Sequence, residues 1–176
     1  QIDNIIPGNY NVVCTADGFE TSQITGLEIL ANQTATADFS MVPADYPLPP
    51  GWDFVFTPTT HVISIPGTID PQFNGQSLQH GDYIGVFYLD DEQSEVCGGA
   101  IQWQNETTVL SAFGNDNFTT EKDGFDEGEP LVWKIYRQQQ QQAYYANVEY
   151  DPAMPDTQGV FVPFGLSQLL SFEAYS

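Results

Sequence analysis

Basic residues are almost missing from this chain. Three Lys plus Arg stand against 24 Asp plus Glu in 176 residues, a formal net charge of −21 at pH 7. Nucleic-acid phosphates need basic partners, so the composition argues against that ligand, and it argues against anionic membrane surfaces for the same reason. Cysteine is equally sparse. Cys14 and Cys97 are too few and too far apart for a disulfide framework or a zinc site. Each sits in an alternating pattern, so both are expected as buried free thiols. The two histidines, His61 and His80, lie near no obvious nucleophile, and no G-x-S-x-G elbow occurs. No stretch is apolar enough to span a bilayer, no signal peptide opens the chain, and the start at Gln1 reads as the interior of something longer. A sustained 3.6-residue period is also lacking, which removes amphipathic helices as the organising element.

Alternation of period two is what fills the chain. In the first 41 residues Tyr10, Val12, Cys14 and Ala16 share one face and Asn11, Val13 and Thr15 take the other. A second strand reads SQITGLEIL with Gly26 as a bulge. A third places Ala35, Ala37, Phe39 and Met41 together. Residues 42–50, VPADYPLPP, carry four prolines and read as a short semi-rigid linker at a domain boundary.

From residue 51 the pattern is again all strand. WDFVF puts Trp52, Phe54 and Phe56 on one face, and THVISIP does the same for His61, Ile63 and Ile65. Asn74-Gly75 is a hairpin turn. DYIGVFYLD is apolar on both faces, as expected of a strand covered on both sides. EVCGGAIQW groups Cys97, Ile101 and Trp103, and its paired glycines, Gly98 and Gly99, indicate a bulge or a close backbone approach. Leu131, Trp133 and Ile135 form the next inward set, followed by Tyr144, Ala146, Val148 and Tyr150, then Leu170, Phe172 and Ala174. Gln138 to Gln142 reads as a solvated hairpin tip. The expected fold is all-β: two β-sandwich domains, the first incomplete, the second of jelly-roll or immunoglobulin-like topology.

Two resemblances refine this expectation. IIPGNYNVVCTADGFET followed by QTATADFSM resembles the second half of a carboxypeptidase-regulatory-like, or transthyretin-like, β-sandwich. That likeness implies that the early strands come from upstream or from another subunit, because an open sheet edge invites pairing. Residues 51–176, through W-x-F, THVISIP, NG, GDYIGVFY, VCGG, a Gly-Asn-Asp turn, KDGF, GE and WK-aromatic in that order, resemble a β-rich module of large secreted surface proteins of the Bacteroidota. This implies an extracellular or cell-surface module strung with other sandwich domains, with no catalytic residues to carry over.

The densest cluster of unusual residues is the acidic stretch from Gly114 to Glu129. Asp116, Asp123, Asp126, Glu127 and Glu129, with Asn115 and Asn117, offer hard oxygen ligands, and Asp90 and Asp91 stand at the end of a neighbouring strand. Calcium takes six to eight such oxygens at about 2.3–2.6 Å, so Asp116, Asp123, Asp126, Glu129, Asn115 and Asp90 are the candidate Ca²⁺ ligands. The spacing is not that of an EF-hand, and Lys122 inside the cluster offers a carboxylate an ion-pair partner instead. A pair of carboxylates for glycoside hydrolysis cannot be nominated from so many. The chain is therefore expected to be non-catalytic, a subunit or repeat of an extracellular filament, stalk or adhesin whose partners are neighbouring domains or identical subunits. The competing expectation is a carbohydrate-binding module of a secreted polysaccharide-degrading enzyme, since exposed aromatic rings stack on sugars. Trp52, Trp103 and Trp133, however, all fall on inward positions and read as packing. Sequons occur at Asn32, Asn105 and Asn117.

Overall fold

Period-two patterning becomes strand in most of the segments that carry it. The computed structural model describes residues 5–15, 20–31, 33–39, 47–116 and 119–176. In chain order the strands are β1 (Gly8–Cys14), β2 (Ser22–Ile29), β3 (Thr60–Ile65), β4 (Gln72–Phe73), β5 (Gln76–Ser77) and β6 (Tyr83–Leu89). They continue as β7 (Glu95–Gln102), β8 (Thr108–Phe113), β9 (Val132–Arg137), β10 (Gln142–Tyr150) and β11 (Leu166–Ala174). One 3₁₀ turn, Gly67–Ile69, is the only helical element among the described residues, and no helix there is long and apolar enough to cross a membrane. The chain divides into two compact units, Gln1–Asp45 and Tyr46–Ser176.

The first unit is an antiparallel pair, β1 with β2. Tyr10, Val12 and Cys14 are half-buried with Ile24, Leu27 and Ile29, while Val13 is exposed. Gly26 adopts φ +72 where the register shifts between Tyr10 and Val12, and its N–H donates to Asn11 Oδ1 at 3.2 Å. That is the bulge read from the sequence, held by a side chain. Among the described residues the third strand does not form: 33–39 are irregular, with Ala35 exposed and Ala37 and Phe39 half-buried. Ala16 and Met41 lie outside the described residues. Cys14 is a free thiol but only half-buried, since it sits on a sheet of two strands.

The second unit is a sandwich whose two sheets share β11. Leu166–Gln168 run parallel to Val62–Ser64 of β3, and β3 pairs antiparallel with β8. Further along, β11 pairs with β10 and, in parallel, with β4, giving the larger order β5-β4-β11-β10-β9-β6-β7. Ile63, Ile65, Leu110 and Ala112 from one sheet meet Ile84, Val86, Trp133, Ile135 and Phe172 from the other in a single core. Burying each such aliphatic side chain contributes about 1.5–3 kcal/mol. β7 and β8 approach so closely that a Cβ on Gly99 would lie 2.1 Å from the Ser111 carbonyl oxygen.

Strand β6 is buried on both sides, as its composition required. Ile84, Val86 and Tyr88 face the main core, whereas Tyr83 and Phe87 join Trp52, Cys97 and Tyr136 in a second cluster on the outer face. The WDFVF segment that supplies Trp52 is not a strand. Prolines on both sides (Pro49, Pro50, Pro58) withhold backbone donors, and the segment lies as a cover: Trp52 is buried, Phe54 half-buried and Phe56 exposed. Trp52 reaches the sheet only because position 85 is glycine, where a Cβ would fall 2.6 Å from its ring.

Two bulges redistribute side chains that strict alternation misplaces. Val86 pairs with Gly99 and Phe87 with Cys97, so Gly98 is the extra residue in β7. Cys97 therefore belongs to the outer cluster, while Trp103 and Ile101 belong to the main one. In β11 the register shifts between Glu149 and Tyr150, making Leu170 the extra residue; Leu169 is buried and Leu170 is 49% exposed. The hairpin at Asn74-Gly75 has both residues at positive φ, as a two-residue turn of that type needs. The glutamine run forms the β9–β10 tip.

Candidate functional site

The acidic stretch is nailed to the core by one ring. Phe125 is fully buried, stacks on Phe161 at 5.5 Å and 7°, and lies edge-on to Tyr88. Gly98 makes room for it, since a Cβ there would stand 2.3 Å from the Phe125 ring. Backbone bonds tie the same segment to the end of β8: Phe125 N donates to Phe113 O at 3.0 Å and Asn115 N to Phe125 O at 2.8 Å.

Around this anchor the carboxylates form two separate knots. In the first, Lys122 Nζ lies 2.8 Å from Glu129 Oε2 and 3.3 Å from Asp126 Oδ2, and it donates to the Leu89 carbonyl at 2.6 Å. Glu129 also accepts from the backbone, Oε1 from Leu89 N at 2.9 Å and Oε2 from Asp126 N at 3.0 Å. In the second, Asp123 accepts from Asp116 N at 3.3 Å and Thr119 Oγ1 at 2.9 Å, and Asn115 bridges the knots by donating to Asp126 Oδ1 at 3.1 Å. Asp90 turns away and caps its own turn, accepting from Glu92 N at 2.9 Å and Ser94 N at 2.8 Å. Asp91 and Glu127 point into solvent, and Asn117 lies outside the described residues. Among the described residues no group of three or more His, Cys, Asp or Glu is arranged to hold a metal ion.

The corner holds an ammonium, that of Lys122, against two of the carboxylates. Burial works against the charge on Lys122, but the hydrogen bonds and charges of Glu129 and Asp126 outweigh it and hold its pKa above the ordinary lysine value. Tyr88 beneath it is pushed up to about 12, first by burial and then by Asp123 and Asp90.

A histidine–serine pair does form. His61 and Ser167, 106 positions apart, are both buried, with His61 Nε2 2.7 Å from Ser167 Oγ. The sequence places no nucleophile beside His61, and the parallel pairing of β3 with β11 corrects this. The wiring is nevertheless wrong for catalysis. Val162 N–H donates to His61 Nδ1 at 3.1 Å, so the ring proton sits on Nε2 and is donated to Ser167, which passes its own proton to the Asp156 carbonyl at 2.5 Å. A base must accept the serine proton, and this imidazole cannot. Burial lowers the His61 pKa, so the ring is neutral at pH 7.

The buried carboxylate, Asp82, is consumed by structure. It accepts from Gln79 N at 2.9 Å and Gln138 N at 3.0 Å and pairs with Arg137 at 3.0 Å. Burial raises its pKa despite those partners. His80, beside it, is a turn residue. Cys97 is a buried thiol pushed up to about 11 by burial, and therefore inert as a nucleophile. All three tryptophans are buried, at 4%, 3% and 3% exposure, so none offers a stacking face.

What alternation did not single out is the outer face of β10 and β11. Tyr145 in β10 and Tyr175 just past the end of β11 are 61% and 53% exposed, and each hydroxyl is bonded to a carboxylate, Glu95 and Glu173 respectively. The signal is present in the outward positions of AYYANVEYD and SFEAYS, where tyrosine stands at positions that alternation assigns to solvent. No protein-family model, curated protein or solved structure matches the chain.

Proposed function

We propose that the chain is a non-catalytic structural and adhesive module of an extracellular or cell-surface protein, a repeat or subunit of a filament, stalk or adhesin. One observation carries this reading: the first unit is a sheet of two strands with both edges unpaired among the described residues and only a half-buried apolar face. Two strands alone are marginal in water. Such a unit calls for further strands from a neighbouring domain or an identical subunit, added by backbone pairing at an edge. The likeness of residues 51–176 to the surface module of the Bacteroidota supports an exported setting, and the consumption of His61, Ser167, Asp82 and Glu129 in internal contacts supports a role without chemistry.

Calcium belongs to this proposal only as an addition at the acidic corner, where it has to compete with Lys122 for Glu129 and Asp126. The test is hydrogen exchange on the full chain combined with sedimentation over a wide concentration range. The expected result is fast exchange of β1 and β2 amides in the monomer, protection that grows with assembly, and loss of assembly in Val12→Pro. Strong protection of β1 and β2 in a strictly monomeric chain would show a self-sufficient unit and refute the proposal.

A further inference from the structure

The outer face of the larger sheet carries a feature that the core does not need. Ala146 of β10 pairs with Ala174, the last residue of β11, both pointing inward, and the residues next to them, Tyr145 in β10 and Tyr175 just past the end of β11, are both exposed. Asn147 and Glu173, the preceding cross-strand pair, share that face and are exposed. Cross-strand neighbours have Cβ atoms about 5 Å apart, so Asn147 and Glu173 are adjacent, and the two tyrosines, each within two residues of one of them, flank the same patch.

The rings are held rather than free. Tyr145 OH donates to Glu95 Oε2 at 2.8 Å, and Lys134, itself 2.6 Å from the same oxygen, has its ammonium 4.9 Å from the Tyr145 ring. Tyr175 OH donates to Glu173 Oε2. Fixing both hydroxyls removes much of the ordering cost that a ligand would otherwise meet. Two large aromatic faces are thus left in water and oriented, beside a carboxylate and an amide that accept and donate hydrogen bonds.

We infer that Tyr145 and Tyr175, with Glu173 and Asn147, form a platform that binds an uncharged polysaccharide along its chain. Apolar C–H faces of sugar rings stack on aromatic faces, and sugar hydroxyls satisfy carboxylate and amide groups. The charge of the protein selects the class. Net charge is −21, and all three cations, Lys122, Lys134 and Arg137, are in internal ion pairs, so uronic or sulfated chains meet only repulsion. The platform is an exposed sheet face, which suits internal chain segments more than chain ends. It lies in the second unit, whereas the structural reading rests on the first, so the two stand or fall separately.

The test is affinity electrophoresis of the full chain in soluble xylan, galactomannan and mixed-linkage β-glucan, with polygalacturonate and dextran sulfate as polyanions. Retardation is expected with at least one of the neutral polymers and with neither polyanion. Tyr145→Ala and Tyr175→Ala are each expected to weaken binding about tenfold, which is about 1.4 kcal/mol; Tyr145→Phe, which keeps the ring, should lose less. Melting followed by tryptophan fluorescence verifies that the variants fold. No retardation by any of the three neutral polymers, binding that survives the double alanine variant, or preference for a polyanion overturns the inference.

Discussion

Replacing Lys122 by methionine tests whether an ammonium, and not a bound ion, holds the acidic corner. The side chains of Lys122 and Glu129 are each 13% exposed, between the surface and the interior. An exposed pair contributes about 0.2–1 kcal/mol, whereas breaking a fully buried one costs about 3–5 kcal/mol. Asp126, at 60% exposure, adds little, but the bond from Nζ to the Leu89 carbonyl is lost as well. A loss of about 2 kcal/mol follows, equivalent to a fall in Tm of ~8 °C for a unit of this size. The assay is thermal melting followed by tryptophan fluorescence, which reads the second unit alone because Trp52, Trp103 and Trp133 all lie in it. A double-mutant cycle with Glu129→Gln should return a coupling of about 1 kcal/mol. Excess EDTA should leave the wild-type midpoint unchanged, because a ligand stabilises only in proportion to its occupancy. A Lys122→Met shift below ~2 °C, or a drop in wild-type Tm with EDTA, would refute the reasoning.

Three further outcomes are expected. Gly85→Ala should cost about 1–3 kcal/mol and shift tryptophan emission to longer wavelength, because the new methyl displaces Trp52 from the sheet. Stability should decline as the pH falls below about 6.5, the ordinary histidine value. Burial lowers the folded pKa of His61, so the unfolded chain binds the proton first; the difference in urea midpoint between wild type and His61→Asn should narrow over the same range. At the alkaline end, Tyr88 and Tyr150 are both raised to about 12 by burial, so the unfolded chain loses their protons first. Stability should be complete below about pH 10 and lost as the pH rises towards 12, read as a tyrosinate absorbance step that coincides with unfolding.

Strand positions were legible because alternation records which side of a sheet is wet. β3 follows it residue for residue and β10 does so from Ala143 onward, whereas β6 and the end of β9 are buried on both faces. Alternation fails at Gly98 and Leu170, where one inserted residue exchanges the faces, and nothing local distinguishes an insertion from a continuing strand. WDFVF misleads in another way: an apolar run fits a strand and a cover equally well, and only the space above Gly85 decides between them. Of the candidate site, the carboxylates were visible and the partner of each was not. Glu129 closes on Leu89, 40 positions away, and His61 on Ser167, 106 away. Such pairings are set by topology, which residue types alone do not encode.

The sharing of β11 bears on how the second unit responds to force. β3 stands near the start of that unit and β11 near its end, and the two run parallel, as do β4 and β11. Tension transmitted along the polypeptide through the unit pulls these neighbours in opposite directions along their own axes. Their backbone bonds are then loaded together in shear instead of being opened one at a time like a zipper. A unit so connected yields late under tension, because many bonds must break at once.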